Sequence, residues 1–159
     1  MESKFGASFN WEAEPARKRA LVVDNSAVAR SAIVILLQRS GWEVIGAADG
    51  AEALMLASTW HFDLVVMSPE PSKVPGLQLV RMLKGQLLSP AVRVMLLVEE
   101  IQWVGEVKKW ADAILVKNDH VEKQLYSKIV HLFGVARPHW AQKWRRHRTH
   151  HAFLHHYSS

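Results

Sequence analysis

Short runs of consecutive apolar residues alternate along this chain with segments whose apolar residues recur every three or four positions. The runs are too short for helices and predict strands over 20–24, 44–47, 64–67, 92–98 and 113–116. The spaced segments between them predict amphipathic helices. Uninterrupted apolar strands that alternate with helices favour an α/β fold, in which helices cover both faces of a parallel sheet.

Polar residues and glycines indicate where the predicted helices begin and end. Asn25 and Ser26 can cap the first helix, while Asp119 and Glu122 resemble a capping box before the last helix, which Gly134 ends. A short helix is also predicted over 101–110. The positions predicted to form one face of each longer helix are Val28, Ala32, Ile35 and Leu36; Ala51, Leu54, Met55 and Ser58; Leu79, Val80 and Leu83; and Val121, Leu125, Ile129 and Leu132.

The length of 159 residues suits one domain with extensions. We divide the chain into an arm at 1–18, a domain at 19–134 and a tail at 135–159. The chain contains no cysteine, which excludes disulfides and thiolate chemistry. Neither a signal peptide nor an apolar run of membrane-spanning length is visible, so we expect a cytoplasmic protein.

The net charge of +5 belongs to the tail. Residues 1–136 carry 15 basic and 15 acidic side chains, whereas residues 137–159 carry five basic side chains and no acid. Trp140 and Trp144 stand four residues apart among these cations, so a helix here would be basic and amphipathic. Such a segment can bind nucleic acid or an anionic membrane surface, but we favour the alternative of a disordered basic tail. The cations are Lys143, Arg145, Arg146 and Arg148, beside Arg137.

Candidate chemistry is expected where the parallel strands end, because ligands bind at the carboxyl edge of open parallel sheets. Asp24 ends the first strand, Ser68 follows the third and Lys117 follows the fifth. We find no nucleophile–base–acid set and no glycine-rich phosphate loop, so no enzyme is predicted. His147 and His151 are spaced to share a metal on a helix, but no carboxylate or thiolate supports them.

From about residue 18 to 133 the chain resembles the receiver domain of two-component response regulators. The resemblance rests on the stretches LVVDNSAVAR, ADGAEAL, FDLVVM, GL and ADAILVK, which occur in this order. It implies a flavodoxin-like, doubly wound sheet of five parallel strands in the order 2-1-3-4-5, with helices on both faces. It also implies that histidine kinases or other regulators and output proteins are the partners.

The resemblance assigns a role to each position of the pocket. Two acids that bind a divalent metal fall on Asp24 and Asn25, and the aspartate that accepts a phosphoryl group falls on Ser68. The hydroxyl residue that ends the fourth strand falls on Val98, or on Leu97 if that strand shifts by one. The lysine is Lys117, and Asn118 replaces the proline expected after it.

These substitutions remove negative charge and the acceptor carboxylate. Asp24 and Lys117 alone sum to zero, so we expect Mg²⁺ binding to be weak or absent and predict no other metal or cofactor. A serine hydroxyl without an adjacent base is a weak nucleophile and cannot form an acyl phosphate. We expect Asp24 and Lys117 to pair directly; pairing of Lys117 with Glu70, or exposure of Lys117 to solvent, are the alternatives.

In receivers the usual partner surface lies around the fourth helix and the fifth strand. Trp103, Trp110, Ile114 and Asn118 occupy that region here, although the tryptophans could equally pack on the sheet. We therefore predict an atypical receiver that acts by protein–protein interaction without phosphoryl transfer. A working phosphorelay regulator and a nucleic-acid-binding regulator that acts through the tail are the alternatives.

Overall fold

The computed structural model describes residues 17–87, 90–100 and 105–134. Five parallel strands form one sheet in the order β2-β1-β3-β4-β5, as the sequence predicted. The strands are β1 (Arg19–Val23), β2 (Glu43–Ala47), β3 (Leu64–Met67), β4 (Arg93–Val98) and β5 (Ala113–Val116). The α-helices are α1 (Ala27–Arg39), α2 (Gly50–Thr59), α3 (Gly76–Met82) and α4 (Val121–Phe133). α3 continues as a π-helical turn over Leu83–Leu87, and a separate 3-10 helix covers Gly105–Trp110.

The three central strands, β1, β3 and β4, are buried on both faces, which explains their uninterrupted apolar runs, whereas the edge strands β2 and β5 are only partly buried. Successive side chains of a strand point to opposite faces. Leu21 and Val23 therefore join a core cluster on the side of α2 and α3, while Val22 joins a second cluster. That second cluster includes Ile33 of α1 and Leu125 of α4.

The predicted inward face of α1 is wrong. Val28 is 82% exposed and Ile35 is 46% exposed, whereas Ile33 and Leu37 are buried against the sheet. Residues 32–37 are all apolar, so two different faces of this helix have helical spacing. Spacing alone does not choose between them, and of the predicted face only Leu36 packs, partly buried, against the core.

The face predicted for α2 also differs from the one that packs on the sheet. Ala53 and Ala57 are buried, while Met55 is 66% exposed. Gly50, at the start of α2, is buried as well, and a Cβ there would lie 2.7 Å from Val74 Cβ. Small residues therefore face the core because α2 approaches its neighbours closely.

The core faces predicted for the last two α-helices are confirmed. Leu79 and Val80 of α3 are fully buried, and Leu125 and Ile129 of α4 are nearly so. Leu83 is also buried, and Val121 and Leu132 pack partly buried against the core.

The predicted capping box at Asp119 is wrong, because the residue that caps α4 is His120 and its side chain makes no capping hydrogen bond. A reciprocal cap of this kind occurs instead at α2. Asp49 Oδ1 accepts a hydrogen bond from Glu52 N at 2.9 Å, and Glu52 Oε2 accepts one from Ala48 N at 2.8 Å. The αL conformation of Gly134 at the end of α4 confirms the predicted stop. Of the predicted helix over 101–110, the described part is the 3-10 helix, and residues 101–104 lie outside the described ranges.

Asp112, just before β5, connects the start of β4 to the turn after α3 through a hydrogen bond and two ion pairs. Its carboxylate accepts a hydrogen bond from Val94 N at 2.8 Å and pairs with Lys84 at 3.0 Å and Arg93 at 3.3 Å. Burial alone would raise the pKa of this carboxyl group, but the hydrogen bond and the two cations outweigh burial and lower the pKa. The charged form therefore stabilises the folded state.

We predict that Asp112→Asn lowers the free energy of unfolding at neutral pH by about 1 kcal/mol, since solvent screens part of the interaction. The folded-state pKa lies below the unfolded value, so this contribution is complete above the unfolded pKa and is lost as pH falls through the folded pKa. The difference between wild type and variant, measured by urea unfolding, should shrink on acidification. A pH-independent difference would contradict the assignment, and Glu106→Gln, at an exposed ion pair, is the control.

Candidate functional site

Four positions assigned to the pocket meet at the carboxyl edge of the sheet. Asp24 directly follows β1, Ser68 follows β3, Val98 ends β4 and Lys117 follows β5. Ser68 N donates to Val23 O at 3.0 Å, and Lys117 N donates to Val98 O at 2.8 Å, so the strand ladders set the spacing of the pocket.

An ion pair joins the buried carboxylate of Asp24 to the partly exposed side chain of Lys117. Asp24 is 3% exposed, and its Oδ2 lies 3.0 Å from Lys117 Nζ. Within the described part of the chain, no donor is aligned for a hydrogen bond with Oδ2, so the contact depends on charge attraction at close range. Oδ1 accepts a hydrogen bond from Ser26 N at 2.8 Å. Lys117 therefore contacts Asp24, and the described residues contain no ion pair between Lys117 and Glu70.

Arg30 brings a second cation to this edge, which the sequence analysis missed. Its Nη1 donates to the backbone oxygen of Asp24 at 2.7 Å. The stem of Arg30 lies against Gly46, where a Cβ would come within 3.2 Å of Arg30 Cδ. In the sequence, Arg30 follows Asp24 by six residues. An arginine at this distance from an acid that ends a strand is too common a pattern to indicate a contact.

Asn25 holds the loop that follows β3. Its Oδ1 accepts hydrogen bonds from Ser72 N at 3.2 Å and from Ser72 Oγ at 2.9 Å, across 47 residues of sequence. Ser68 Oγ accepts a hydrogen bond from Glu70 N at 3.4 Å, within the same loop. The side chains at these two pocket positions therefore bind the β3–α3 loop.

The same loop is also attached to the start of α2. Gly50 N donates to Ser72 O at 2.9 Å, and Lys73 Nζ lies 2.9 Å from Asp49 Oδ2. The hydrogen bond from Glu52 N and the contact with Lys73 lower the pKa of Asp49. Lys73 has a φ of 70°, a left-handed conformation that is unfavourable for lysine, and these contacts hold it there.

Few of the ligands that a divalent cation requires are present at this edge. Mg²⁺ prefers carboxylate, carbonyl and water oxygens. Asp24 supplies a carboxylate that already contacts Lys117, and Val98 supplies an aliphatic, buried side chain. Across the described ranges, no three His, Asp or Glu side chains are grouped so that they could hold a metal ion.

The structure divides the predicted partner face into two grooves. The guanidinium of Arg81 lies over the ring of Trp110 at 5.9 Å from its centre, and both residues line a groove beside α3. Ile114 instead lines a groove between β5 and α4. Asn118 Oδ1 accepts hydrogen bonds from His120 N and Gln124 Nε2, so this side chain organises the start of α4.

Some predicted residues lie outside the described ranges. These are Trp103 and the whole basic tail, which includes Trp140, Lys143, Trp144, Arg145, Arg146 and Arg148. The predicted arm is described only at residues 17 and 18. None of the described helices is both long and apolar enough to cross a membrane.

The fold and the residues of the carboxyl edge define a doubly wound α/β domain, and comparison with known proteins gives its family. The family model for the response regulator receiver domain matches residues 20–127. The chain therefore belongs to the response regulator receiver family and is a receiver domain of two-component signalling.

Individual relatives agree with this assignment. The chemotaxis protein CheY4 of Vibrio cholerae is 28% identical, with a TM-score of 0.64 over 74% of this chain and 99% of that one. The alkaline phosphatase synthesis transcriptional regulatory protein PhoP of Bacillus subtilis is 34% identical over 63% of this chain and 42% of its own length. The CAI-1 autoinducer sensor kinase/phosphatase CqsS of Vibrio cholerae is 39% identical over 43% of this chain and 10% of its own length. The chain thus spans less than half the length of these two curated relatives.

We predict that Lys117→Met lowers the free energy of unfolding by about 3 kcal/mol, because it leaves the Asp24 carboxylate buried without its cation. The double variant Asp24→Asn/Lys117→Met should recover most of this loss, since the uncompensated charge is gone. Urea unfolding measures both, and Lys123→Met on the exposed side of α4 is the control. Equal losses in the single and double variants would contradict this explanation, because the loss would then not come from an uncompensated charge on Asp24.

We also predict that Asn25→Ala loosens the β3–α3 loop. Removing the acceptor should speed amide hydrogen exchange at Ser72 about fivefold, which corresponds to the roughly 1 kcal/mol of one net hydrogen bond. Asn118→Ala removes a comparable side-chain acceptor at the start of α4 and should leave exchange at Ser72 unchanged. Unaltered exchange at Ser72 in Asn25→Ala would mean that the loop is held by its other contacts alone.

Proposed function

We propose that this chain is an atypical receiver that works by protein–protein interaction, without phosphoryl transfer and without enzymatic activity. Its partners are signalling proteins, either a histidine kinase or another regulator or output protein. The observation that carries the proposal is the composition of the carboxyl edge, where Ser68 stands at the acceptor position and Asp24 is paired with Lys117.

The chemistry of Ser68 supports this proposal. A phosphoryl group on aspartate is an acyl phosphate, whereas one on serine is an ordinary ester. A serine hydroxyl also needs an adjacent base to act as a nucleophile. The hydrogen bond described for Ser68 Oγ comes from the backbone of Glu70, and a backbone N–H cannot accept the hydroxyl proton.

The electrostatics of the edge support weak Mg²⁺ binding. Asp24 contributes one negative charge, Lys117 contributes one positive charge, and Arg30 adds another close to the Asp24 backbone. A dication that approached Asp24 would therefore also meet two cations. Displacing Lys117 would require breaking an ion pair whose gross attraction, before desolvation is subtracted, is about 5 kcal/mol at an effective dielectric of about 20.

The contacts around the edge also favour a single conformation. Asp24–Lys117 closes one side of the pocket, while Asn25–Ser72 and Asp49–Lys73 hold the β3–α3 loop on the other. The buried side chain of Val98 has no hydroxyl that could respond to a phosphoryl group. We propose that partners recognise this fixed shape.

The test is a titration of the isotopically labelled protein with Mg²⁺ and then acetyl phosphate, followed by amide chemical shifts. Wild type should show no saturable shifts around Asp24 and Ser68, and mass spectrometry should find no added phosphoryl group. The matched variant Asn25→Asp/Ser68→Asp restores three carboxylates at this edge and should gain saturable Mg²⁺ binding. Saturable shifts together with phosphorylation of wild type would establish the working phosphorelay regulator instead.

A further inference from the structure

The outer edge of β2 carries backbone groups that β1 does not use. Among the described residues, β2 pairs only with β1, and it lies at the opposite end of the sheet from β5. Glu43 N donates to Lys18 O at 3.0 Å, so Glu43 directs its backbone groups to β1. Successive residues of a strand direct their N–H and C=O groups to alternate sides, so Val44 and Gly46 direct theirs away from β1.

The free part of this edge is short, because the backbone on either side of it is already bonded. Before it, Trp42 N donates to Leu37 O at 3.1 Å. After it, Ala48 N donates to Glu52 Oε2 at 2.8 Å. Between these bonds, the outward backbone groups of residues 44–46 have no hydrogen-bond partner within the part of the chain that the structure describes. We call residues 44–46 the β2 edge, and an unpaired edge of this kind accepts a further strand.

The arm that precedes β1 has the sequence pattern of a strand. From residue 5 to residue 12, apolar positions alternate with polar or glycine positions without exception. The apolar positions are Phe5, Ala7, Phe9 and Trp11, and the others are Gly6, Ser8, Asn10 and Glu12. A helix would divide the four apolar side chains between opposite sides, whereas a strand places them all on one face. The pattern therefore predicts a strand with one buried face.

The arm is long enough to reach the far side of β2. Six residues, 12–17, connect Trp11 to Lys18, whose backbone oxygen is bonded to the start of β2. Neighbouring strands lie about 4.8 Å apart, so a strand beyond β2 lies about 10 Å from β1. Six extended residues span about 20 Å, and Pro15 among them favours a turn. So short a connection keeps the end of the arm strand beside the start of β2, which makes the two strands antiparallel.

We propose that residues 5–11 pair with the β2 edge as an antiparallel sixth strand of the sheet. Val44 and Gly46 each donate one hydrogen bond to this strand and accept one from it. Val44 packs partly buried on one face of the sheet and Ile45 on the other, so the apolar side of the arm finds an apolar neighbour on either face. The arm thereby closes an edge that would otherwise accept a strand of another molecule.

The small size of the β2 edge favours the arm over a separate molecule as its occupant. Four hydrogen bonds and a limited apolar contact give a weak association between separate chains. A segment tethered six residues away is present at a high effective concentration, so the same contacts suffice to hold it.

The test compares amide hydrogen exchange in the full chain and in proline variants of the arm. Proline has no N–H and is excluded from the interior of a paired strand. Successive residues point to alternate sides, so one of Ser8→Pro and Phe9→Pro must remove an N–H that points to β2. At least one of these variants should exchange the amides of Val44 and Gly46 about tenfold faster than wild type, since both amides lose their partner. Ser3→Pro lies in the arm before the alternating stretch and should leave their exchange unchanged.

Nuclear Overhauser contacts in wild type provide a second measurement that does not depend on any variant. They should join protons of residues 5–11 to those of the β2 edge, and in a mixture of differently labelled chains they should occur only within one chain. Equal exchange in wild type and both proline variants, or absence of these contacts, would overturn the proposal. Contacts between two chains would also overturn it, because a second copy would then occupy the β2 edge. Neither measurement involves Mg²⁺ or a phosphodonor, so the proposed function of the carboxyl edge stands or falls separately.

Discussion

The ion pair between Asp24 and Lys117 is the contact on which the properties of the carboxyl edge depend. It joins the ends of β1 and β5, which lie on either side of β3 and β4 in the sheet. The carboxylate is almost completely buried, so leaving it charged without a nearby cation would cost stability. A receiver pocket with three acids leaves room for a dication beside its lysine, whereas here the lysine alone balances the acid. Both the proposed indifference to phosphodonors and the proposed fixed shape follow from this charge balance.

Around the β3–α3 loop, as at Asp24 and Lys117, the polar side chains of the edge contact other groups of the protein. The resemblance to the family assigns a metal-binding acid to the position of Asn25, whose side-chain oxygen accepts hydrogen bonds from Ser72. The loop is therefore attached to the start of α1 through Asn25 and to the start of α2 through Asp49 and Gly50. Polar groups that could serve a metal are used to hold backbone and side chains together.

The sequence was sufficient to predict the sheet and its strand order, because each strand is a continuous apolar run and the motifs between strands follow the family's order. It was also sufficient to bring Asp24, Ser68, Val98 and Lys117 to one edge, since parallel strands align their carboxyl ends. It could not choose the inward face of α1, because six consecutive apolar residues, 32–37, satisfy more than one helical face. The prediction of a capping box at Asp119 was wrong because a cap depends on local backbone geometry, and His120 is the N-cap residue of α4. The contacts of Asn25 with Ser72 and of Arg30 with Asp24 join loops and helices by tertiary packing, which no local pattern records.

The most direct test of the central claim is a crystal structure of the wild-type protein grown with MgCl₂ and beryllofluoride, which mimics a phosphoryl group. We predict that neither Mg²⁺ nor beryllofluoride occupies the carboxyl edge, and that Lys117 Nζ remains in contact with Asp24. A metal ion coordinated by Asp24, with beryllofluoride on Ser68 Oγ and Lys117 moved away from Asp24, would contradict the proposed charge balance.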